Sequence, residues 1–184
     1  MKIEYINAVN ELKNWILSNK VIIKNESYGE KKQLEKAEFK TFQIQNISTE
    51  ELQAIKNLTN NQLEDSYYYF LQEIGSGYFF IDEYTTQFEL YNLAQLKTHN
   101  AMVQQEIEEE DEATKESYFM IGSHLSMGDW IGFCTTKQDT NNFDIYCHEY
   151  PIYNYTETSD ELKSCRRFED WIIRVVKTKG EKSL

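Results

Sequence analysis

The chain has 184 residues, is 40% hydrophobic and 14% aromatic, and carries a formal net charge of −12. The length suits one domain whose core needs no covalent staple, and the aromatic share excludes a disordered chain. The charge divides unevenly, +1 over residues 1–50, −16 over 51–160 and +3 over 161–184, a field that repels nucleic acid and anionic lipid and draws basic partners.

In chain order, Asn7 to Ser18 reads as a helix with Val9, Leu12, Trp15 and Ile16 near one stripe. Val21-Ile22-Ile23 is a β-branched run, and Asn25 to Glu38 is polar with little periodicity. Phe39, Thr41 and Gln43 alternate with Phe42 and Ile44 as on a strand. Ser48 and Glu51 predict a capping box. A second helix is expected from Asn61 to Ile74, striped by Leu63, Tyr67, Phe70, Leu71 and Ile74 and ended by Gly75 in a left-handed conformation.

Tyr78 to Ile81 suits a buried strand, Gln87 to Tyr91 a second strand, and Asn92 to Asn100 a short helix or turn. Six carboxylates crowd Glu106 to Glu112, which predicts a solvated helix face or loop. Tyr118 to Cys134 then reads as two strands around a glycine-flanked connection. Tyr118 and Met120 share one face, and Phe119 and Ile121 the other; Trp130 and Cys134 share a face opposite Asp129, Ile131 and Phe133. Gly132 implies a bulge or a close neighbour. Phe143, Ile145 and Cys147 alternate with Asp144, Tyr146 and His148 in a third strand closed by Pro151. Thr158 and Glu161 suit a capping box, and a last helix is expected from Asp160 to Lys177, with Phe168, Trp171, Ile172 and Val175 on its apolar stripe. The class is α+β: a single domain with a mainly antiparallel sheet, helices packed on one side and a closing C-terminal helix.

Nothing in the pattern argues for an enzyme. No nucleophile elbow, phosphate loop, dinucleotide fingerprint or zinc-protease motif occurs. The histidines are His99, His124 and His148, and Cys147 and His148 on one strand would point to opposite faces. No catalytic, metal or cofactor site is therefore expected. Cys134, Cys147 and Cys165 are odd in number and lack CxxC spacing, which suits reduced core thiols in a reducing compartment. No stretch of 18 apolar residues exists, and the start lacks the apolar run of a signal peptide. The expected location is cytoplasmic.

The order of pieces carries a resemblance. YYYFLQEIGSG leads into YFFI; later come YFMIGSHLSMGDWIGFC, FDIYCHEYP and a helix with RRFEDWI. This resembles the SUKH superfamily, which includes bacterial immunity proteins and a fungal cell-wall-assembly regulator. The matching positions are Phe70, Leu71, Gly75 and Gly77; Ile121, Gly122, Gly128, Asp129 and the adjoining Trp130; Ile145 and Tyr146; and Phe168 and Trp171. Leu63-Glu64-Asp65 stands where the family often has Leu-Pro, and Gly75-Ser76-Gly77 where it often has Asn-Gly. The resemblance spans 63–176, with 1–47 an extension of the same domain.

What the resemblance implies is an α+β domain that binds proteins, in bacteria often a cognate toxin's catalytic domain. The expected partner is a basic toxin domain, probed through Glu106, Glu108, Glu109, Glu110, Asp111, Glu112, Asp139 and Asp144 with exposed tyrosines as anchors. Neither nucleic acid nor membrane is expected as a partner. A regulatory or scaffold module of the same fold is the alternative.

Overall fold

In the computed structural model the described residues are 1–23, 38–110, 117–125, 128–136, 141–146 and 167–183. The elements in order are α1 (Ile3–Ser18), β1 (Val21–Ile23), β2 (Glu38–Gln45), α2 (Thr49–Leu58), α3 (Asp65–Glu73), β3 (Ser76–Ile81), β4 (Thr86–Leu90), α4 (Leu93–Glu110), β5 (Tyr118–His124), β6 (Asp129–Cys134), β7 (Phe143–Tyr146) and α5 (Phe168–Lys177). The strands form one seven-stranded sheet whose spatial order follows the chain from β1 to β7. Every neighbouring pair is antiparallel. The class is the expected α+β, with an antiparallel sheet and a closing C-terminal helix; α4, however, packs on the face opposite the other four helices.

Alternation decides what each strand buries. Phe119, Ile121, Ile131, Phe133, Phe143 and Ile145 enter the main core with Val9 and Leu12 of α1, Ile55 of α2, Tyr67 and Phe70 of α3, and Trp171 and Ile172 of α5. Tyr118, Met120, Cys134 and Tyr146 point the other way and meet Val103 of α4 in a second, smaller core flanked by Trp130. Both sets of faces are those expected from the period of two. Phe168, fully buried, joins the layers: its ring lies against Tyr5, Tyr67, Phe70, Phe133, Phe143 and Trp171 at centroid distances of 5.4–6.5 Å. Truncating such a ring to alanine costs about 3–5 kcal/mol.

Two places break alternation. Phe79 and Phe80 are consecutive, yet both are fully buried. Two residues of β3 lie between Tyr78 and Ile81, against one of β2 between Gln43 and Thr41, and Phe80 has φ +56°. The extra residue turns both rings inward. In β5 the register shifts between Met120 and Gly122. Gly132 has a close neighbour, since a Cβ there would lie 2.5 Å from Met120 Sδ and 2.7 Å from Phe119 O.

Several boundaries differ from expectation. The second helix starts at Asp65, not Asn61. The short piece after β4 is an 18-residue helix that takes in the first part of the acidic run. Ser48 caps α2 by accepting from Glu51 N at 3.1 Å. The Glu51 carboxylate, however, accepts from Leu93 N, tying α2 to the start of α4. The cap at Thr158, the polar segment after Lys24, Cys147, His148, Pro151 and Cys165 lie outside the described residues.

Candidate partner-binding surface

The chain leaves α3 through Gly75-Ser76-Gly77. Gly75 has φ +105° and Gly77 φ +128°, and a Cβ on either would lie within 2.2 Å of the carbonyl oxygen of Gln45 or Gln43. Only glycine lets β3 lie so close to β2 in that conformation. Tyr78 then stands opposite Gln43 on β2 and Glu89 on β4, and Glu89 opposite Ser123 on β5. Ser123 faces Trp130, and Trp130 faces Tyr146. One row of side chains thus crosses six strands on the side away from the main core.

That row ends beneath α4. Tyr91 hydrogen bonds to Ser123, and its ring stacks on His99 with centroids 4.4 Å apart. Gln95 donates to the Glu89 carboxylate. The Glu89 charge, and behind it burial, raise the Tyr78 pKa. Asn100 and Val103, one turn on, hold α4 to β5.

The predicted carboxylates fall in different places. Glu106 and Glu109 are exposed on α4, and Glu109 accepts from Gln105 at 2.7 Å. Glu108 and Glu110 lie in the same helix, but their side chains fall outside the described residues, as do Asp111, Glu112 and Asp139 altogether. Asp144 is a correction: it is 3% exposed and its Oδ1 accepts from Ile145 N at 2.9 Å. It sits on β7 between the buried Phe143 and Ile145, so it is not available to a partner as it stands.

Of the other singled-out residues, Gly122 is buried against the Glu89 carbonyl, whereas Gly128 is exposed and has φ +80°. Asp129 is buried at the start of β6 opposite His124. His124 is itself buried, with Nε2 2.7 Å from Ser183 Oγ, and Trp171 Nε1 donates to Ser183 O at 2.9 Å. Burial lowers the His124 pKa, with the Asp129 charge opposing. Among the described residues no group of three or more His, Cys, Asp or Glu is placed to hold a metal, and no helix is long and apolar enough to cross a membrane. Cys134 is a buried free thiol.

Sequence reasoning missed Ile22, Phe39 and Met102 as surface features. They are 51%, 55% and 53% exposed. The signal was present for Phe39, whose alternation with Phe42 already placed the two on opposite faces.

Comparison with known proteins gives three findings. The model of the SMI1 / KNR4 family (SUKH-1) matches residues 46–174. The chain is 24% identical over 176 residues to immunity protein RhsIB of Dickeya dadantii (strain 3937), a match that covers 96% of this chain and 97% of that protein. No solved structure matches the chain.

Proposed function

The chain belongs to the SMI1 / KNR4 family (SUKH-1), and from that premise we propose that it is an immunity protein which binds and neutralises a cognate toxin domain. The observation that carries this reading is the similarity to an immunity protein along nearly the whole length of both chains. The proposed mode is occupation, not catalysis, and the proposed place of action is inside the producing cell.

The charge supports a basic partner. A nuclease presents Lys and Arg where it holds phosphates. A chain with net charge −12 can cover such a surface, and opposite fields speed encounter by roughly 10–10³-fold. We take residues 1–184 to act as one domain. Tyr5 of α1 donates to Ser66 O of α3 at 2.6 Å, and Lys2 pairs with Asp170 of α5, so the N-terminal helix is part of the same body.

The test is co-expression with the toxin domains encoded beside its own gene. Protection from one of them, with a stable complex on gel filtration, is the expected result. Growth arrest that the protein leaves undiminished for every such domain overturns the proposal.

A further inference from the structure

We propose that Glu89 is the socket for one cationic side chain of the toxin domain, an arginine or lysine that enters beside Tyr78; this rests on the immunity reading above. Glu89 stands on β4, on the side of the sheet away from the main core, between Tyr78 of β3 and Ser123 of β5. Side chains paired in this way across strands are direct neighbours. Glu89 is 8% exposed and Tyr78 38%, so the carboxylate lies just beneath the surface and Tyr78 marks the way in.

The start of α4 holds this carboxylate in place. Asn92 N donates to Gln95 Oε1 and Gln95 N donates to Asn92 Oδ1, both at 3.0 Å. With its carbonyl so fixed, the Gln95 side chain turns Nε2 to Glu89 Oε1. Tyr91, bonded to Ser123, closes one side. What the carboxylate lacks is a cation: no Lys, Arg or His among the described residues forms an ion pair with it. Glu169, 3% exposed, is the contrast, with Arg167 3.8 Å away. The Glu89 charge falls instead on two tyrosines. It is the main influence raising the Tyr78 pKa, and behind burial it also raises that of Tyr91. A carboxylate withdrawn from water among uncharged neighbours is held at a cost to the free chain.

An arginine or lysine from a partner supplies the missing charge. Its head group meets the carboxylate in a hydrogen-bonded ion pair and lies beside the Tyr78 ring, which attracts cations. A nucleic acid would bring phosphates and is repelled. A bare metal ion needs more oxygen ligands than one carboxylate offers, and no group of three or more His, Cys, Asp or Glu stands ready among the described residues.

The experiment uses the full chain and the toxin domain, encoded beside its own gene, against which it protects. Glu89→Gln keeps the shape of the side chain and an acceptor for Gln95, and removes the charge. Glu83→Gln, exposed in the turn before β4, removes the same charge from the same hairpin and is the control. Glu89→Gln is expected to weaken affinity by about tenfold or more, chiefly through faster dissociation, and the control by less than about twofold. In the free chain the urea midpoint of Glu89→Gln is expected to equal or exceed that of the wild type, since no cation there loses its partner. If the wild-type chain protects against no domain, the immunity reading falls and this socket with it. If the wild type protects and binds while Glu89→Gln loses no more affinity than Glu83→Gln, the socket alone is overturned. A lowered midpoint in free Glu89→Gln would assign the carboxylate to the fold. A wild-type dimer on gel filtration that Glu89→Gln dissolves would assign it to a second copy. Either result overturns the socket and leaves the immunity reading standing.

Discussion

Asn100 completes the hydrogen bonding of Met120 as a neighbouring strand would: Met120 N donates to Asn100 Oδ1 at 2.7 Å, and Asn100 Nδ2 donates to Met120 O at 2.8 Å. β4 pairs with β5 only at Glu89–Ser123 and Leu90–Gly122 before the chain turns off into α4. Tyr91 N still reaches Ile121 O at 2.9 Å. Beyond that point the edge of β5 would be left open, and one side-chain amide closes it.

That dual role makes Asn100 hard to replace. Asn100→Leu leaves a donor and an acceptor of Met120 without their partner, at about 1–3 kcal/mol each. Asn100→Asp keeps the acceptor and loses the donor. Urea unfolding is expected to rank wild type above Asp above Leu. A Leu variant as stable as wild type would show that the pair contributes nothing.

Gly180 lies against Phe80. It has φ +78°, and a Cβ there would fall 2.5 Å from Phe80 Cγ and 2.8 Å from Phe80 Cβ. Phe80 is itself in the left-handed region, so it has little room to yield. Gly180→Ala is expected to cost about 1–3 kcal/mol, read as a lowered urea midpoint with an unchanged slope. No loss of midpoint would mean that the turn after α5 packs more loosely than described.

His124 predicts a pH dependence. Burial holds its folded pKa below the ordinary value of 6.5, against the pull of Asp129. Above that value the imidazole is neutral in both states and folding is unaffected. As pH falls through it the unfolded chain takes up the proton first, so stability is lost until the lowered folded value is reached. His124→Asn removes this contribution. The wild type should therefore lose more stability than the variant between pH 7.5 and 5.5, as measured by urea midpoints at each pH. Equal losses would remove His124 from the account.

Glu106 and Glu109 offer a test of steering. Their neutralisation as Glu106→Gln and Glu109→Gln should slow association with the cognate toxin domain and flatten its salt dependence, while dissociation changes little. Stopped-flow rates from low to high salt would show it. Identical salt slopes would make these carboxylates solubilising groups alone.

Much of the sheet was legible because its periods are local. Alternation alone separated Tyr118 and Met120 from Phe119 and Ile121, and those sets occupy different cores. The stripe of α3 and the apolar face of α5 were readable for the same reason, since one turn of helix repeats within four residues. What a local pattern cannot hold is the identity of a distant neighbour. The run from Asn92 to Asn100 gave no sign that α4 would continue to Glu110, because only part of that helix touches the sheet. Phe79 and Phe80 turn inward together only because β2 offers one residue where β3 spends two. Asp144 reads as a surface carboxylate in sequence, and the strands around it bury it. Composition, charge and periodicity determined the class of fold and the sign of its field; the pairing of strands and the placing of α4 decided which polar and aromatic side chains are buried and which stay exposed, because those contacts join residues that are far apart along the chain.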